Sequence, residues 1–550
     1  MLKLATILDN PGAPVTKTRY RDPQELSRLG YNGIVLYETT GLSGVEINGN
    51  VADRQLHHWL SEQFDLVDQQ INQACAAKLD VYLSYDVLSL STDLVDQHRD
   101  QFCCKARPVT LCPASNEAIS ASVDALRSLL RRFNHVRGVV IRFGDNEAAR
   151  LPHLTGNDIL LPHCARCSRL GRAKRINKIV TAFYNLLIRE LELNLIVRAW
   201  NVRPTGMHDS IDVCRRAIRG LPRDDRFMLS FKFTQTDFWR YQHWNQASLA
   251  CENHPIIYEL ECQREYEGKG AIPNWQVPLW CDGPPEITQS VQKTGLNHLP
   301  DQVHLAGLWA WVRGGGWGGP FVSNETWIDA NVYAVPKVAD GSTNNQQQLA
   351  LMWMKERLDI TDCDLAETIL KLLQHSHEVV LNGFYIGAYA QSLPDSWHPN
   401  ADWIQDDLLD AHAIWRMIKH LPASQLEQVI NEKRRAVDMI SKDRIALKQL
   451  ITESNRPTLE PMLHTLEYAD ALLGAIHELL AGLAAYRRHT QQQPYHPKSA
   501  LADQCRHHLL EAQNKWNHHT QHTASLSGAA TAFRESGFWE LTQQIMNKLT

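Results

Sequence analysis

The chain has 550 residues, and its 44% hydrophobic and 21% charged fractions are those of an ordinary globular protein. This length accommodates one large domain and one or two more. The net charge of −5 at pH 7 excludes the strongly basic surface that nucleic acids or acidic membranes select.

The N-terminal segment 1–9 is too short an apolar run for a signal peptide, because Asp9 interrupts it. No stretch reads as the roughly 18 consecutive apolar residues that span a bilayer. The 12 cysteines are spread along the chain, which fits reduced thiols better than a disulfide framework. We therefore expect a cytoplasmic protein with neither a membrane nor a nucleic acid as partner.

Eight short apolar runs alternate with segments of helical periodicity over the first part of the chain. The runs are 2–8, 33–37, 80–85, 138–143, 194–200, 227–233, 256–260 and 307–312, and the helical segments include 22–29, 56–77, 116–133, 175–193 and 209–218. This pattern predicts an α/β fold, a (β/α)8 TIM barrel over 1–338. A doubly wound open sheet is the alternative, but the first strand is followed by Asp-Asn-Pro-Gly and not by a glycine-rich phosphate turn.

The polar stretch 340–348 predicts a linker, and strands nearly disappear after it. Long amphipathic patterns occupy 426–450 and 459–488, where apolar residues recur at helical spacing. We therefore predict an α-helical C-terminal domain over 339–550. Such a domain typically serves packing or oligomerisation, which makes a homodimer through it one expectation.

Polar residues recur where the predicted strands end, and a barrel of this type carries its active site at the C-terminal ends of the strands. Asp237 lies near the end of the segment 230–239, and Glu259 lies inside the apolar run 256–261, where a charge is costly unless it is paired or has a chemical role. The complete set is Asp9, Asn10, Glu38, Asp86, Asp145, Glu147, Arg198, Trp200, Lys232, Asp237, Glu259 and Arg313.

Three carboxylates of this set suit glycoside hydrolysis: Glu147 after the fourth strand, and Asp237 and Glu259 on the sixth and seventh. One acid protonates the leaving oxygen, and a carboxylate on the other face activates water or attacks the sugar. Arg198 and Lys232 would bind an anionic substituent in the same mouth, although pairing with the carboxylates is the commoner role of such cations.

At these positions the sequence resembles glycoside hydrolase family 67, the α-glucuronidases, across the barrel and more weakly across the helical region. The family's HWDN strand end is similar to ILDN at 7–10, and its D-S-E-G turn to DNEA at 145–148. Its K-x-G-P-I-D strand end is similar to KFTQTD at 232–237, and its E-F-Q-x-x-Q-E-Y-x-G line to ELECQREYEG at 259–268. We expect no counterpart of the family's N-terminal β-rich domain.

The resemblance implies an inverting hydrolase that removes an α-linked uronic acid from an oligosaccharide and needs no cofactor. It implies Glu147 as the general acid, with Asp237 and Glu259 flanking the attacking water and the choice of base open. The acid and base carboxyls of an inverting site lie roughly 6.5–9.5 Å apart. Arg198 matches the family's uronate-pocket arginine, and the other substrate-binding candidates are Asp9, Asn10, Glu38, Trp200, Lys232, Arg313 and Trp317.

Trp317 lies in the run GGGWGGP at 314–320, where glycine lets the backbone approach a ligand and an indole ring would form a sugar platform. A flexible turn into the C-terminal domain is the alternative interpretation of this run.

Two positions depart from the family pattern, because Leu8 replaces the tryptophan and Phe143 replaces a lysine of the uronate pocket. An inverting glycosidase for a neutral or differently substituted sugar is therefore one alternative. A non-catalytic carbohydrate-binding barrel is another, although all three carboxylate positions are kept.

His163, Cys164 and Cys167 form one half of a zinc-like pattern. No second CxxC or HxxxH follows, and Cys103, Cys104 and Cys112 are speculative partners. We expect unliganded thiols here, with a structural zinc clip after the fourth strand as the alternative.

Overall fold

A closed barrel of parallel strands forms the centre of the computed structural model, which describes residues 1–9, 15–45, 54–143, 151–156, 159, 162–201, 204–251, 254–287, 294–314, 323–341, 345–391, 404–405, 408–409, 411–492, 499–523 and 536–549. Its eight strands are β1 (Leu2–Leu8), β2 (Gly33–Leu36), β3 (Asp80–Asp86), β4 (Gly138–Arg142), β5 (Asn194–Arg198), β6 (Phe227–Lys232), β7 (Ile256–Glu261) and β8 (Leu305–Gly314). Each strand pairs with the next in sequence, and β8 pairs with β1, so the predicted barrel is confirmed.

Helices follow most of the strands. They are α1 (Pro23–Leu29), α2 (Arg54–Ala76), α3 (Thr92–Gln97), α4 (Arg99–Phe102), α5 (Asn116–Arg132), α6 (Ala165–Leu170), α7 (Arg172–Tyr184), α8 (Ile211–Ala217), α9 (Val277–Asp282) and α10 (Thr326–Ala339). Single 3-10 turns lie at Arg19–Arg21, Glu38–Leu42, Ser248–Ala250, Pro285–Ile287 and Leu296–His298, and a π-helix at Asn185–Glu190 extends α7. Between β6 and β7 the described residues form a 3-10 turn in place of a helix.

Local sequence sets the ends of these helices. In α1 the Asp22 side chain accepts a hydrogen bond from the Gln24 N–H, Pro23 occupies the first turn, and Gly30 ends the helix in the left-handed region. The predicted linker at 340–348 is shorter in the structure. The Asn345 side chain caps the next helix, which already includes Gln346 to Gln348.

Among the described residues after β8, the regular structure is helical except for two two-residue strands, Ile404–Gln405 and Leu408–Leu409. Its helices are α11 (Gln346–Leu358), α12 (Cys363–Phe384), α13 (Gly387–Gln391), α14 (Ala411–His420), α15 (Ala423–Gln449), α16 (Arg456–Gln492), α17 (Ala500–Thr523) and α18 (Ser536–Leu549). This region packs against the barrel through hydrogen bonds such as Trp327 Nε1 to Thr465 Oγ1, 2.8 Å, and Tyr385 O–H to Glu267 Oε1, 2.8 Å.

Within the described residues, α16 is the one helix long and apolar enough to cross a membrane by length and composition. Its most apolar window has a mean hydropathy of 1.2 and is 78% buried inside the molecule. Packing against α15 and α17 accounts for this burial, as in a core helix.

Candidate active site

Charged side chains line the inside of the barrel near the C-terminal ends of the strands. Residues in register on parallel neighbours point to the same side, and the pairings join Arg198 to Ser230, Lys232 to Glu259, and Glu261 to Trp311. Because one strand alternates its sides with a period of two, Glu259 and Glu261 both face inward. The register therefore gathers side chains of β5 to β8 into one site.

Glu259 is a fully buried carboxylate of this site. Arg198 reaches across from β5 and donates from Nε to Glu259 Oε2 at 3.0 Å and to Oε1 at 3.2 Å. Ser230 Oγ donates to Glu259 Oε1 at 2.5 Å. Both partners of the ion pair are buried, so the pair is held without competition from water.

Asp237 has a second set of partners. Sequence analysis placed it near the end of a strand at 230–239, but β6 ends at Lys232 and Asp237 lies in the following loop. The Lys232 ammonium forms an ion pair with Asp237 Oδ1, and the Phe238 N–H donates to the same oxygen at 2.8 Å. Tyr266 O–H donates to Asp237 Oδ2 at 3.0 Å.

Aromatic rings surround both cations. The Lys232 Nζ lies 4.0 Å from the ring centroid of Trp200, 4.4 Å from that of Phe238 and 5.0 Å from that of Trp311. The Arg198 Cζ lies 4.7 Å from the Trp311 ring centroid. One indole ring thus contacts the cations of both ion pairs and joins them into a single site.

Glu261, the last residue of β7, also belongs to this site. The sequence-based prediction assigned it no role. Its burial raises the pKa of the carboxyl to about 7, opposed by the positive charges of Arg264 and Lys232 and assisted by the negative charge of Asp237. The Glu265 N–H donates to Glu261 Oε1 at 2.5 Å, and Arg264 Nη1 lies 3.5 Å from Oε2. The two-residue spacing from Glu259 was the signal that would have found it.

His208 is a further residue that the sequence did not single out. Its ring centroid lies 5.2 Å from that of Trp200, and its Nε2 lies 3.8 Å from Asp209 Oδ1. Burial lowers the pKa of His208 to about 4, so its imidazole is neutral at physiological pH. A neutral buried histidine near the Lys232 and Asp237 pair extends the polar wall of the site.

Asp9 and Glu38 lie apart from these carboxylates. Arg21 forms ion pairs with both of them, Thr16 also donates to Asp9, and Gln70 Nε2 donates to Glu38 Oε1 at 3.0 Å. They line a cavity of about 430 Å³ between β1, β2 and the helices α1 and α2. None of the residues that line this cavity is one of Arg198, Trp200, Lys232, Asp237 or Glu259.

Arg313 forms a separate ion pair with Glu325, whose Oε1 lies 3.3 Å from the Arg313 Nε. Glu325 also binds Arg19, whose Nε lies 3.1 Å from Oε2. The predicted binding set therefore divides into three: Arg198, Trp200 and Lys232 around the carboxylates, Asp9 and Glu38 at the cavity, and Arg313 beside α10.

Four predicted site residues, Asn10, Asp145, Glu147 and Trp317, lie outside the described residues. The separation of roughly 6.5–9.5 Å between the Glu147 carboxyl and the carboxyl of Asp237 or Glu259 therefore stays a prediction. Cys164 and Cys167 lie elsewhere, in a group of four thiols on the loops that follow β3 and β4.

No protein-family model and no curated protein matches the chain. Among solved structures, the chain is similar to a GH138 enzyme targeting pectin rhamnogalacturonan II, with a TM-score of 0.55 and 12% identity over 100% of this chain and 67% of that one. It is also similar to a mutant O-GlcNAc hydrolase from Thermobaculum terrenum, with a TM-score of 0.43 and 10% identity over 99% of this chain and 94% of that one. The likeness to the GH138 enzyme establishes a shared fold, and the motif resemblance to family 67 stays a prediction.

Proposed function

We propose that this chain is an inverting glycoside hydrolase that removes an α-linked uronic acid or a related sugar from an oligosaccharide. The observation that carries the proposal is the pair of contrasting carboxyls in one buried site. Asp237 is held by an ammonium and two hydrogen-bond donors, whereas burial raises the pKa of Glu261 to about 7. A carboxyl with a raised pKa suits the acid role of a hydrolase, and a carboxylate held by donors suits the base role.

In the proposed reaction, water attacks the anomeric carbon while the bond to the leaving oxygen breaks. Asp237 or Glu259 accepts the proton of the attacking water, and an undissociated carboxyl gives its proton to the leaving oxygen. Atoms and charge balance, because one proton is taken up on one face of the sugar and one is given up on the other. The reaction requires no cofactor.

The proton donor has two candidates. Glu147 is the one that the family 67 resemblance implies, and Glu261 is the one that its environment favours. Since burial raises the pKa of Glu261 to about 7, this carboxyl is protonated at a pH where an ordinary glutamate is not. Replacing each residue by glutamine shows which of the two is the proton donor. An aryl glycoside with a good leaving group needs little acid assistance, so it should restore the activity only of the variant that lacks the acid.

Sugar recognition is proposed from the cations and rings around the carboxylates. Arg198 and Lys232 both have indole rings against them, and an indole face suits a sugar ring. A uronate carboxylate would compete for one of these cations, as in the family's pocket. With Leu8 and Phe143 in place of the family's pocket residues, a neutral sugar is the second substrate class to test.

The experiment is a hydrolysis screen of acidic oligosaccharides and aryl glycosides with the wild type. Oligosaccharides from rhamnogalacturonan II belong in the panel, because the GH138 enzyme of the same fold targets that polysaccharide. Activity on acidic sugars that Glu147→Gln or Glu261→Gln abolishes would support the proposal. Cleavage of neutral glycosides alone would contradict the proposal that the substrate carries a uronic acid. Binding of oligosaccharides without any hydrolysis would favour a non-catalytic carbohydrate-binding barrel.

A further inference from the structure

Four cysteine side chains converge outside the proposed active site. Cys104, Cys112, Cys164 and Cys167, which we call the thiol cluster, have sulfur atoms that all lie within 4.8 Å of one another. The sulfur–sulfur distances are 4.0 Å for Cys104 to Cys167, 3.8 Å for Cys112 to Cys164 and 3.6 Å for Cys164 to Cys167. We propose that the thiol cluster binds one zinc ion in a tetrahedral site of four cysteine thiolates.

The spacing of the sulfurs matches one metal ion. Zinc binds thiolate sulfur at about 2.3 Å, so the edge of a regular tetrahedron of sulfurs is about 3.8 Å. A disulfide needs its sulfurs at about 2.05 Å, and the separations here are nearly twice that. Four sulfurs this close enclose a single ion and leave no room for the several irons and sulfides of an iron–sulfur cluster.

The backbone around the cluster is arranged for ligand binding. A short antiparallel hairpin of Cys103–Cys104 and Arg107–Leu111 carries Cys104, and Cys112 directly follows its second strand. Cys164 and Cys167 lie at the start of α6, in the C-x-x-C spacing common to structural zinc sites. The hairpin region thus supplies two ligands, and the start of α6 supplies two more. Together they complete the zinc-like pattern of which the sequence showed only the Cys164 and Cys167 half.

Two backbone N–H groups and one cation lie against sulfur atoms of the cluster. The N–H groups of His163 and Cys164 point at Cys167 Sγ from 3.2 Å and 3.3 Å. The Arg166 side chain interacts with the Cys112 sulfur. Donors and a cation stabilise the charge of four thiolates around Zn²⁺, and the four thiol protons pass to solvent on binding. His163 contributes its N–H and is not one of the four ligands.

The cluster is separate from the apolar core. Cys104, Cys112 and Cys167 form their own buried group, with Ala114 and Cys164 packed against it. Cys103, the neighbour of Cys104 on the hairpin, belongs to the main core. A thiol that serves only as a small apolar side chain would pack on the core as Cys103 does.

The zinc ion would join two loops at the C-terminal side of the barrel. The hairpin belongs to the connection from β3 to α5, and α6 belongs to the connection from β4 to α7. The same two connections also pair through the short strands Leu90–Ser91 and Leu154–Thr155. The segment that contains Glu147 lies in the connection after β4, so the site would tether the loop expected to carry the general acid.

Metal analysis of the full chain, purified under reducing conditions without chelator, tests the proposal. We expect one zinc ion per chain in the wild type and its loss in Cys104→Ser and Cys167→Ser. Two matched controls should keep the zinc: Cys103→Ala, whose thiol is buried on the same hairpin, and Cys251→Ala, which removes one of two thiols that lie 3.5 Å apart.

Cobalt substitution of the wild type gives a second readout that needs no variant to fold. Stripped protein reloaded with Co²⁺ should show sulfur-to-cobalt charge-transfer bands and the strong d–d bands of a tetrahedral thiolate site. Wild type with no metal and 12 titratable thiols in denaturant would overturn the proposal. Zinc retained by both cysteine-to-serine variants, iron in place of zinc, or a disulfide within the cluster would also overturn it.

Discussion

The Tyr266 hydroxyl donates to Asp237 Oδ2 at 3.0 Å, which links the segment after β7 to the carboxylate after β6. The Tyr266 ring also stacks against Trp239, with centroids 4.7 Å apart. Lys232 and the Phe238 N–H bind the other oxygen, so the carboxylate is fixed from both sides. This fixed orientation is what a residue that must face an attacking water requires.

Replacing Tyr266 by phenylalanine removes one donor and keeps the ring. A hydrogen bond to a charged group contributes about 1.5–3 kcal/mol, so we expect kcat to fall by about tenfold to a hundredfold with KM little changed. Steady-state kinetics on the substrate found by screening measures this. Tyr258→Phe is the matched control, because its hydroxyl is bonded to Ser248 at 2.8 Å on the outer side of the barrel. Equal effects of the two variants would contradict the assigned role of Tyr266.

Replacing Glu259, which is buried against Arg198, should lower both the free energy of unfolding and the hydrolytic activity. Glu259→Gln leaves the buried Arg198 without its carboxylate, and breaking such a pair costs about 3–5 kcal/mol. The double variant Arg198→Met with Glu259→Gln should recover part of that stability and remain inactive. Urea unfolding and hydrolysis assays measure the two effects.

Asp329→Asn is the control for these variants, because Asp329 in α10 forms an ion pair of 2.8 Å with Arg357 in α11, outside the proposed site. It should lower the free energy of unfolding and leave kcat unchanged. An active Glu259→Gln variant would remove Glu259 from the reaction.

Glu261 predicts a pH dependence of stability. Its carboxyl would titrate near 4.5 in the unfolded chain, whereas burial raises its pKa to about 7 in the folded protein. Between these values the folded state holds the extra proton. The contribution of this group is therefore most favourable at low pH and declines as the pH rises through 7, by about 3 kcal/mol in all.

Glu261→Gln should remove this slope. Urea unfolding at several pH values between 4.5 and 8 compares the variant with the wild type, and the difference between them should grow with pH in favour of the variant. Glu453→Gln, an exposed position, should run parallel to the wild type. Parallel curves for Glu261→Gln would mean that the carboxyl titrates normally.

Barrel closure depends on Gly314 at the end of β8, where φ is +81° and an added Cβ would overlap the carbonyl oxygen of Leu8. Gly220 has the same φ of +81°, but a Cβ there would meet no atom within 4 Å. Gly220→Ala should cost about 1–2 kcal/mol from backbone strain alone. Gly314→Ala should cost clearly more, as measured by thermal unfolding, and equal losses would show that the Leu8 contact is not limiting.

The barrel was predictable because short continuous apolar runs, alternating with helical segments, identify strands that are buried on both sides. All eight predicted runs overlap strands, and their ends agree within about two residues. The predicted linker at 340–348 was too long, because the polar residues Gln346 to Gln348 belong to the first turn of α11. The helix begins there because the Asn345 side chain caps it.

The site was predictable in part. Asp237, Glu259, Lys232, Arg198 and Trp200 come together because neighbouring strands carry them to one end of the barrel. Asp9 and Glu38 do not join them, because Arg21 holds both at the cavity beside α2. Contacts over long sequence distances, such as Cys104 to Cys167, depend on tertiary folding and leave no local signal.

The central claim is an inverting hydrolysis in which Asp237 is required. The most direct measurement is proton NMR of the first sugar released from an active α-linked substrate, with wild type and Asp237→Asn compared at equal folded content. We predict release of the β-anomer by the wild type and loss of hydrolysis in the variant. Release of the α-anomer, or undiminished hydrolysis by Asp237→Asn, would contradict the claim.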